Sequence, residues 1–154
     1  MRICSALGNI LILLCCLLYS THITAQEQSS EYELLMNIRS RTVTSICMID
    51  TQSDGSMIGT VVSEMGAKAF DFTYQNGNAR VINLMGPLNK WYIKKMLNKD
   101  FSFILSNMSS HQTEVIRKAR HFTRNPQGEI HMENLRYKIY YTFTPMVKKN
   151  ETHQ

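Results

Sequence analysis

The two residues Asn76-Gly77, set between alternating apolar runs, constrain this chain more than any other feature. Asn-Gly supplies the left-handed backbone that a tight two-residue hairpin turn requires. Residues 67–75 place Phe70, Phe72 and Tyr74 on one face, and residues 78–84 form the returning strand. A two-residue loop sets Gln75 opposite Asn78, Tyr74 opposite Ala79, Thr73 opposite Arg80 and Phe72 opposite Val81. Asp71 then lies diagonal to Arg80 and is expected to be its cross-strand charge partner.

An aromatic inner face of this kind needs more sheet around it. Residues 42–49, 57–65, 113–124, 129–133 and 136–143 all read as strands, with turns at 53–55 and 125–128. In the second of these strands Val61 and Met65 share one face and Thr60 and Glu64 the other. Gly66 allows a tight bend or bulge. Residues 31–38 fit two patterns. Ser30 with Glu33 is a capping box, while Leu34, Met36 and Ile38 alternate as in a half-buried strand. No crossover helices separate the strands, so the sheet is expected to be antiparallel.

One confident helix interrupts the strands, over residues 86–100. Pro87 suits a first helical position. Leu88, Tyr92 and Met96 recur every four residues beside Trp91, and Ile93 and Leu97 form a second row. Lys90, Lys94 and Asn98 occupy the remaining arc, and Lys95 must snorkel at a rim. So broad an apolar surface fits a core helix on a sheet, or a helix plugging the mouth of a curved sheet that holds something apolar. In the plug arrangement the Trp91 indole points at Phe70 and Phe72, and Trp91→Ala costs about 3–5 kcal/mol. Residues 101–105 continue this helix or form a short strand.

Residues 1–25 read as a signal peptide: Arg2, an apolar core from 10 to 18 that is too short to span a membrane, and a small-residue cleavage site at Thr24-Ala25. Cys15 and Cys16 follow leucine or cysteine, where lipoprotein processing requires a small residue. Three of the four cysteines lie in this leader, so Cys47 is alone and no internal disulfide forms. That usage suits a bacterial envelope better than a disulfide-rich secretion. Residues 26–31 form a polar lead-in, 32–146 one domain and 147–154 a soluble tail. The net charge of +5 permits contact with anionic lipid or polysaccharide without requiring it. Ten methionines fill a core or supply an adaptable apolar surface.

Motifs for chemistry are sparse. No phosphate-cradling glycine pattern, HExxH or paired-cysteine zinc pattern occurs. His121 and His131 could meet across the 125–128 turn, but a pair without a third ligand is a poor metal site. Cys47 sits in an apolar run as a buried filler, and the scattered carboxylates disfavour a glycosidase pair. Asn107-Met108-Ser109 and Asn150-Glu151-Thr152 match the glycosylation pattern. The basic run 117–122 could meet phosphate, but as a strand it splits its charges across both faces, as on a solvated sheet edge defended by charge. Nucleic acid, a metal and an organic cofactor are therefore not expected, and neither is an enzyme.

The run Val62-Ser63-Glu64-Met65-Gly66-Ala67-Lys68-Ala69-Phe70-Asp71-Phe72, with Pro87-Leu88-Asn89-Lys90-Trp91 and Lys99-Asp100-Phe101, resembles small exported proteins of Bacteroidetes-type bacteria. Those proteins are similar in architecture to the lipoprotein carrier and receptor of the Lol pathway (LolA/LolB-like). The resemblance covers residues 42–105. It implies a mainly β fold: a curved antiparallel half-barrel, a covering or plugging helix, and a concave face that holds acyl chains. The expected location is the periplasm or outer-membrane periphery, with no transmembrane span. The expected partner is a lipid or acylated protein, bound by Phe70, Phe72, Tyr74, Leu88, Trp91, Tyr92 and Met96. The alternative is an envelope protein with a filled core that binds a protein partner and no ligand.

Overall fold

A computed structural model describes residues 28–38 and 41–146. The signal-peptide reading, the tail and Asn150 lie outside the described residues. Nine strands form one antiparallel sheet: β1 (Gln28–Ile38), β2 (Arg41–Thr51), β3 (Met57–Ser63), β4 (Lys68–Gln75), β5 (Asn78–Ile82), β6 (Glu114–Arg117), β7 (Arg120–Arg124), β8 (Ile130–Asn134) and β9 (Ile139–Pro145). Their order is β5-β4-β3-β2-β1-β9-β8-β7-β6, so β1 joins two meanders and the sheet is not closed. One α-helix among the described residues, α1 (Trp91–Ser109), carries the chain from the β5 edge to the β6 edge.

The hairpin register is the expected one, with Gln75 opposite Asn78 and Phe72 opposite Val81. Asn76 and Gly77 both have positive φ, 51° and 79°, as a tight primed turn demands. Asp71 corrects the expectation for its partner. It lies opposite Ile82, and its carboxylate takes Lys68 Nζ, Thr60 Oγ1 and Asn83 Nδ2 instead of Arg80. Those hydrogen bonds, Asn83's foremost, hold the Asp71 carboxyl below its ordinary range.

Residues 31–38 are strand, not helix, and β1 reaches back to Gln28 into the expected lead-in. Burial alternates at Leu34 and Met36, so the period-2 pattern prevails over the capping signal. Met65 stands in the β3–β4 turn, almost fully exposed, and does not share the Val61 face. Residues 113–124 are two strands joined at Lys118-Ala119, with Arg117 opposite Arg120. Lys118 takes a φ of 56° without the glycine or asparagine that usually marks such a turn.

The helix begins later and runs further than its sequence pattern suggests. Gly86–Leu88 form a single 3-10 turn with Pro87 at its start. Lys90 is extended (φ −110°, ψ 137°), and α1 starts at Trp91. Residues 101–105 continue the helix. Its buried apolar residues are Leu97, Phe101, Ile104 and Leu105, spaced as one helical face. Arg124 donates from Nη2 to the carbonyls of Asn107 and Met108, 3.3 and 3.1 Å away, so a cation closes the C-terminal end. Asn107 is buried in the helix and donates to the Phe103 carbonyl.

Phe101 shows how the sheet curves. Its ring centroid lies 5.3 Å from Phe70 and 5.1 Å from Phe72 on β4, and 6.4 Å from both Tyr141 and Phe143 on β9. In a flat sheet, strands four places apart would be about 19 Å apart at about 4.8 Å per step. One ring touches both only because the sheet wraps around α1. At the β5 edge the helix substitutes for a strand: Ala79 N–H donates to Ser102 Oγ and Val81 N–H to Asn98 Oδ1, both at 2.7 Å. Two side chains one helical turn apart thus satisfy an edge that would otherwise invite pairing.

Gly59 lies opposite Phe72 on the inner face. A Cβ there would overlap the Phe72 ring and come within 2.6 Å of the Met48 carbonyl oxygen. Phe72 in turn holds Phe101, so it has little room to yield. Gly59→Ala is expected to cost about 1–3 kcal/mol in a urea melt, as overpacked cores do; a variant as stable as the parent would show that the Phe72 ring is free to move.

Candidate functional site

The hollow of the sheet is the place to look for a ligand, and its own side chains fill it. Leu34, Val61, Phe72, Phe101, Ile104, Phe122, Met132 and Phe143 are all 0% exposed, leaving no surface for a water-sized sphere to touch. The aromatic rings meet edge-on or tilted, in the arrangements that aromatic pairs prefer.

The residues expected to bind a ligand divide into two groups. Phe70, Phe72 and Tyr74 belong to the buried core, and Met96 borders it. Leu88, Trp91 and Tyr92 do not join them. Trp91 is 77% exposed and Tyr92 57%, their rings edge to face at 6.1 Å. The plug expected from residues 88–96 is thus corrected: Leu97, Phe101, Ile104 and Leu105 enter the hollow one to two turns further along. The physical reason is the extended Lys90 and the late helix start, which leave Trp91 and Tyr92 outside the sheet while Ile93 in the same turn packs against the core. Trp91 fluorescence is therefore expected to be red-shifted and freely quenched by iodide in the free protein. Trp91→Ala should change stability by less than about 0.5 kcal/mol, as exposed substitutions do.

The outer turn of the helix is cationic and apolar together. Lys90, Lys94 and Lys95 surround Trp91 and Tyr92, with no acidic residue in the first turn and no side-chain cap. Met85, also exposed, precedes them, held by its N–H to the Ala69 carbonyl. Lysines at a helix start oppose the macrodipole, so helix stability does not account for them.

Deeper in α1 lies a cluster that the sequence did not reveal. Asp100 is 0% exposed, yet three strands converge on its carboxylate. Arg120 Nε of β7 donates at 2.7 Å, Asn134 Nδ2 of β8 at 2.8 and 2.9 Å, and Tyr141 Oη of β9 at 3.0 Å. Burial first, then the Asp100 carboxylate, pushes the Tyr141 phenol well above its ordinary pKa, so it remains a donor. The Asp100 carboxylate itself is closed to solvent, and the cluster ties the helix to the second meander. A lone carboxylate between the buried Leu97 and Phe101 was the available signal; no spacing rule points from it to its partners.

Other candidates are separate. His121 Nε2 pairs with Glu114 at 2.9 Å, and His131 lies beside Thr142 and Glu129, so each has its own partners. No group of three or more potential metal ligands forms among the described residues. Burial pushes the Cys47 thiol up to about 12, which keeps it protonated. No helix among the described residues is long and apolar enough to cross a membrane.

A second opening, of about 320 Å³, lies at the far end of α1 between Tyr32, Ile49, Met57 and Met108. Another, of about 460 Å³, lies on the outer side of α1 and has five cationic side chains in its lining.

Comparison with known protein families, with curated proteins and with solved structures finds no match for this chain.

Proposed function

We propose that this protein is a non-catalytic, exported protein of the cell envelope that docks on an anionic lipid surface through the start of α1. The unclosed sheet with a helix in its hollow is read as the half-barrel of the Lol carrier and receptor group. In this reading the lipid lies against the outside of the half-barrel. The observation that carries it is the exposed Trp91 and Tyr92 set among Lys90, Lys94 and Lys95, beside a hollow already full. Tryptophan and tyrosine favour the headgroup region of a bilayer. Each lysine near an anionic surface contributes about 1 kcal/mol at most, weakened by salt.

Vesicles test this directly. With phosphatidylglycerol vesicles the protein should co-sediment, Trp91 emission should shift to the blue, and iodide should lose access to it. Phosphatidylcholine vesicles should do much less, and Trp91→Ala with Tyr92→Ala should abolish docking while leaving the melt unchanged. A protein that ignores both vesicle types would overturn the reading. Recovery of one envelope protein by crosslinking at Trp91 would then favour a filled-core module with a protein partner.

A further inference from the structure

The groove on the outer side of α1 collects five cations and no carboxylate. It lies between the Asn76-Gly77 turn, the outward face of α1 and the turns that join β6 to β7 and β8 to β9. Lys99, Arg117, Lys118, Arg120 and Arg136 line its volume of about 460 Å³. Solvated charge on an edge strand would account for scattered cations, but two features here go beyond that.

Arg120 is anchored. Its side chain is 18% exposed and its Nε is committed to the buried Asp100 at 2.7 Å. Among the described residues its terminal nitrogens have no protein acceptor, and none is buried without a partner, so they face the groove's solvent. A guanidinium fixed in this way loses little freedom when it grips an anion. Arg117 stands directly across the hairpin from Arg120. Like charges in that position repel unless something negative sits between them. Asp100 engages Arg120 from inside, and among the described residues no carboxylate pairs with Arg117.

We propose that this groove binds a ligand carrying two or more adjacent phosphate groups. Arg120 and Arg117 grip one phosphate through forked hydrogen bonds, and Lys99, Lys118 and Arg136 neutralise the next. A lone phosphate would leave most of these cations unpaired. Phosphates placed side by side concentrate negative charge within a space this size, and guanidinium forks match their oxygens. The site does not rest on the membrane-docking reading: Lys99 lies about 12 Å along the helix from Trp91.

Isothermal titration with tripolyphosphate, pyrophosphate and orthophosphate, at near-physiological salt, tests it. Tripolyphosphate should bind at one site and more tightly than orthophosphate. Arg117→Gln with Arg136→Gln, both exposed positions, should weaken it about tenfold while leaving the melt unchanged. Trp91→Ala should leave it intact. In the Trp91→Ala background, cardiolipin vesicles that displace tripolyphosphate identify a lipid headgroup as the source; vesicles that do not displace it identify a soluble phosphate ligand. No saturable binding of tripolyphosphate, equal affinity for orthophosphate, indifference to the double arginine variant, or binding of heparin alone would each overturn the proposal.

Discussion

Asp100→Ala is expected to destabilise the protein by about 3–5 kcal/mol, the loss seen when one partner of a buried ion pair is removed. The variant strands Arg120, Asn134 and Tyr141 together, since all three donate to that one carboxylate. Asp100→Asn separates charge from shape. Its amide oxygen can accept from Tyr141 and Asn134, but its NH₂ group would face the Arg120 donor. It should therefore fall between the parent and the alanine variant. Urea denaturation with linear extrapolation measures both. A domain of this size has roughly 5–15 kcal/mol in all, so Asp100→Ala should leave a marginal protein. A change below about 1 kcal/mol, within the range of a surface pair, would show that the cluster is open to water and does not hold the helix to the second meander.

Phe101→Ala is expected to cost a similar about 3–5 kcal/mol, from lost burial plus the cavity left behind. Its second effect is the more telling. The ring fills the space between Phe70 and Phe72 on one side and Tyr141 and Phe143 on the other. Removing it should create a dry apolar cavity that accepts a benzene-sized guest, as such cavities do. Benzene should raise the melting temperature of Phe101→Ala and leave the parent unchanged. A parent protein that benzene stabilises equally would contradict the filled hollow.

The fold was legible where short-range rules carry the information. Asn76-Gly77 set the whole β4–β5 register because a two-residue turn leaves no freedom once both residues adopt positive φ. It did not set the partner of Asp71, because a diagonal carboxylate chooses among several donors in reach and Lys68, Thr60 and Asn83 are nearer. The β6–β7 turn was hidden because Lys118-Ala119 carries no turn residue, and so two strands read as one. Apolar periodicity located α1 without saying which stretch the sheet would cover. Both Leu88-Tyr92-Met96 and Leu97-Phe101-Ile104-Leu105 have helical spacing, yet only the second is buried among the strands, and of the first Met96 alone borders the core. Sequence spacing does not report how far a helix projects beyond the sheet, so Trp91 was expected inside and stands outside. The convergence of Arg120, Asn134 and Tyr141 on Asp100 spans up to 41 residues of sequence, beyond the reach of any local pattern.

Side-chain NMR during titration with phosphatidylglycerol nanodiscs separates lipid met on the outside of a closed hollow from lipid held within it. The Trp91 indole N–H resonance should shift and saturate, while the methyl groups of Leu97, Ile104 and Leu105 stay in place. Saturable shifts of those three methyl groups with an unchanged Trp91 resonance would contradict docking on the outside, placing the lipid inside the sheet.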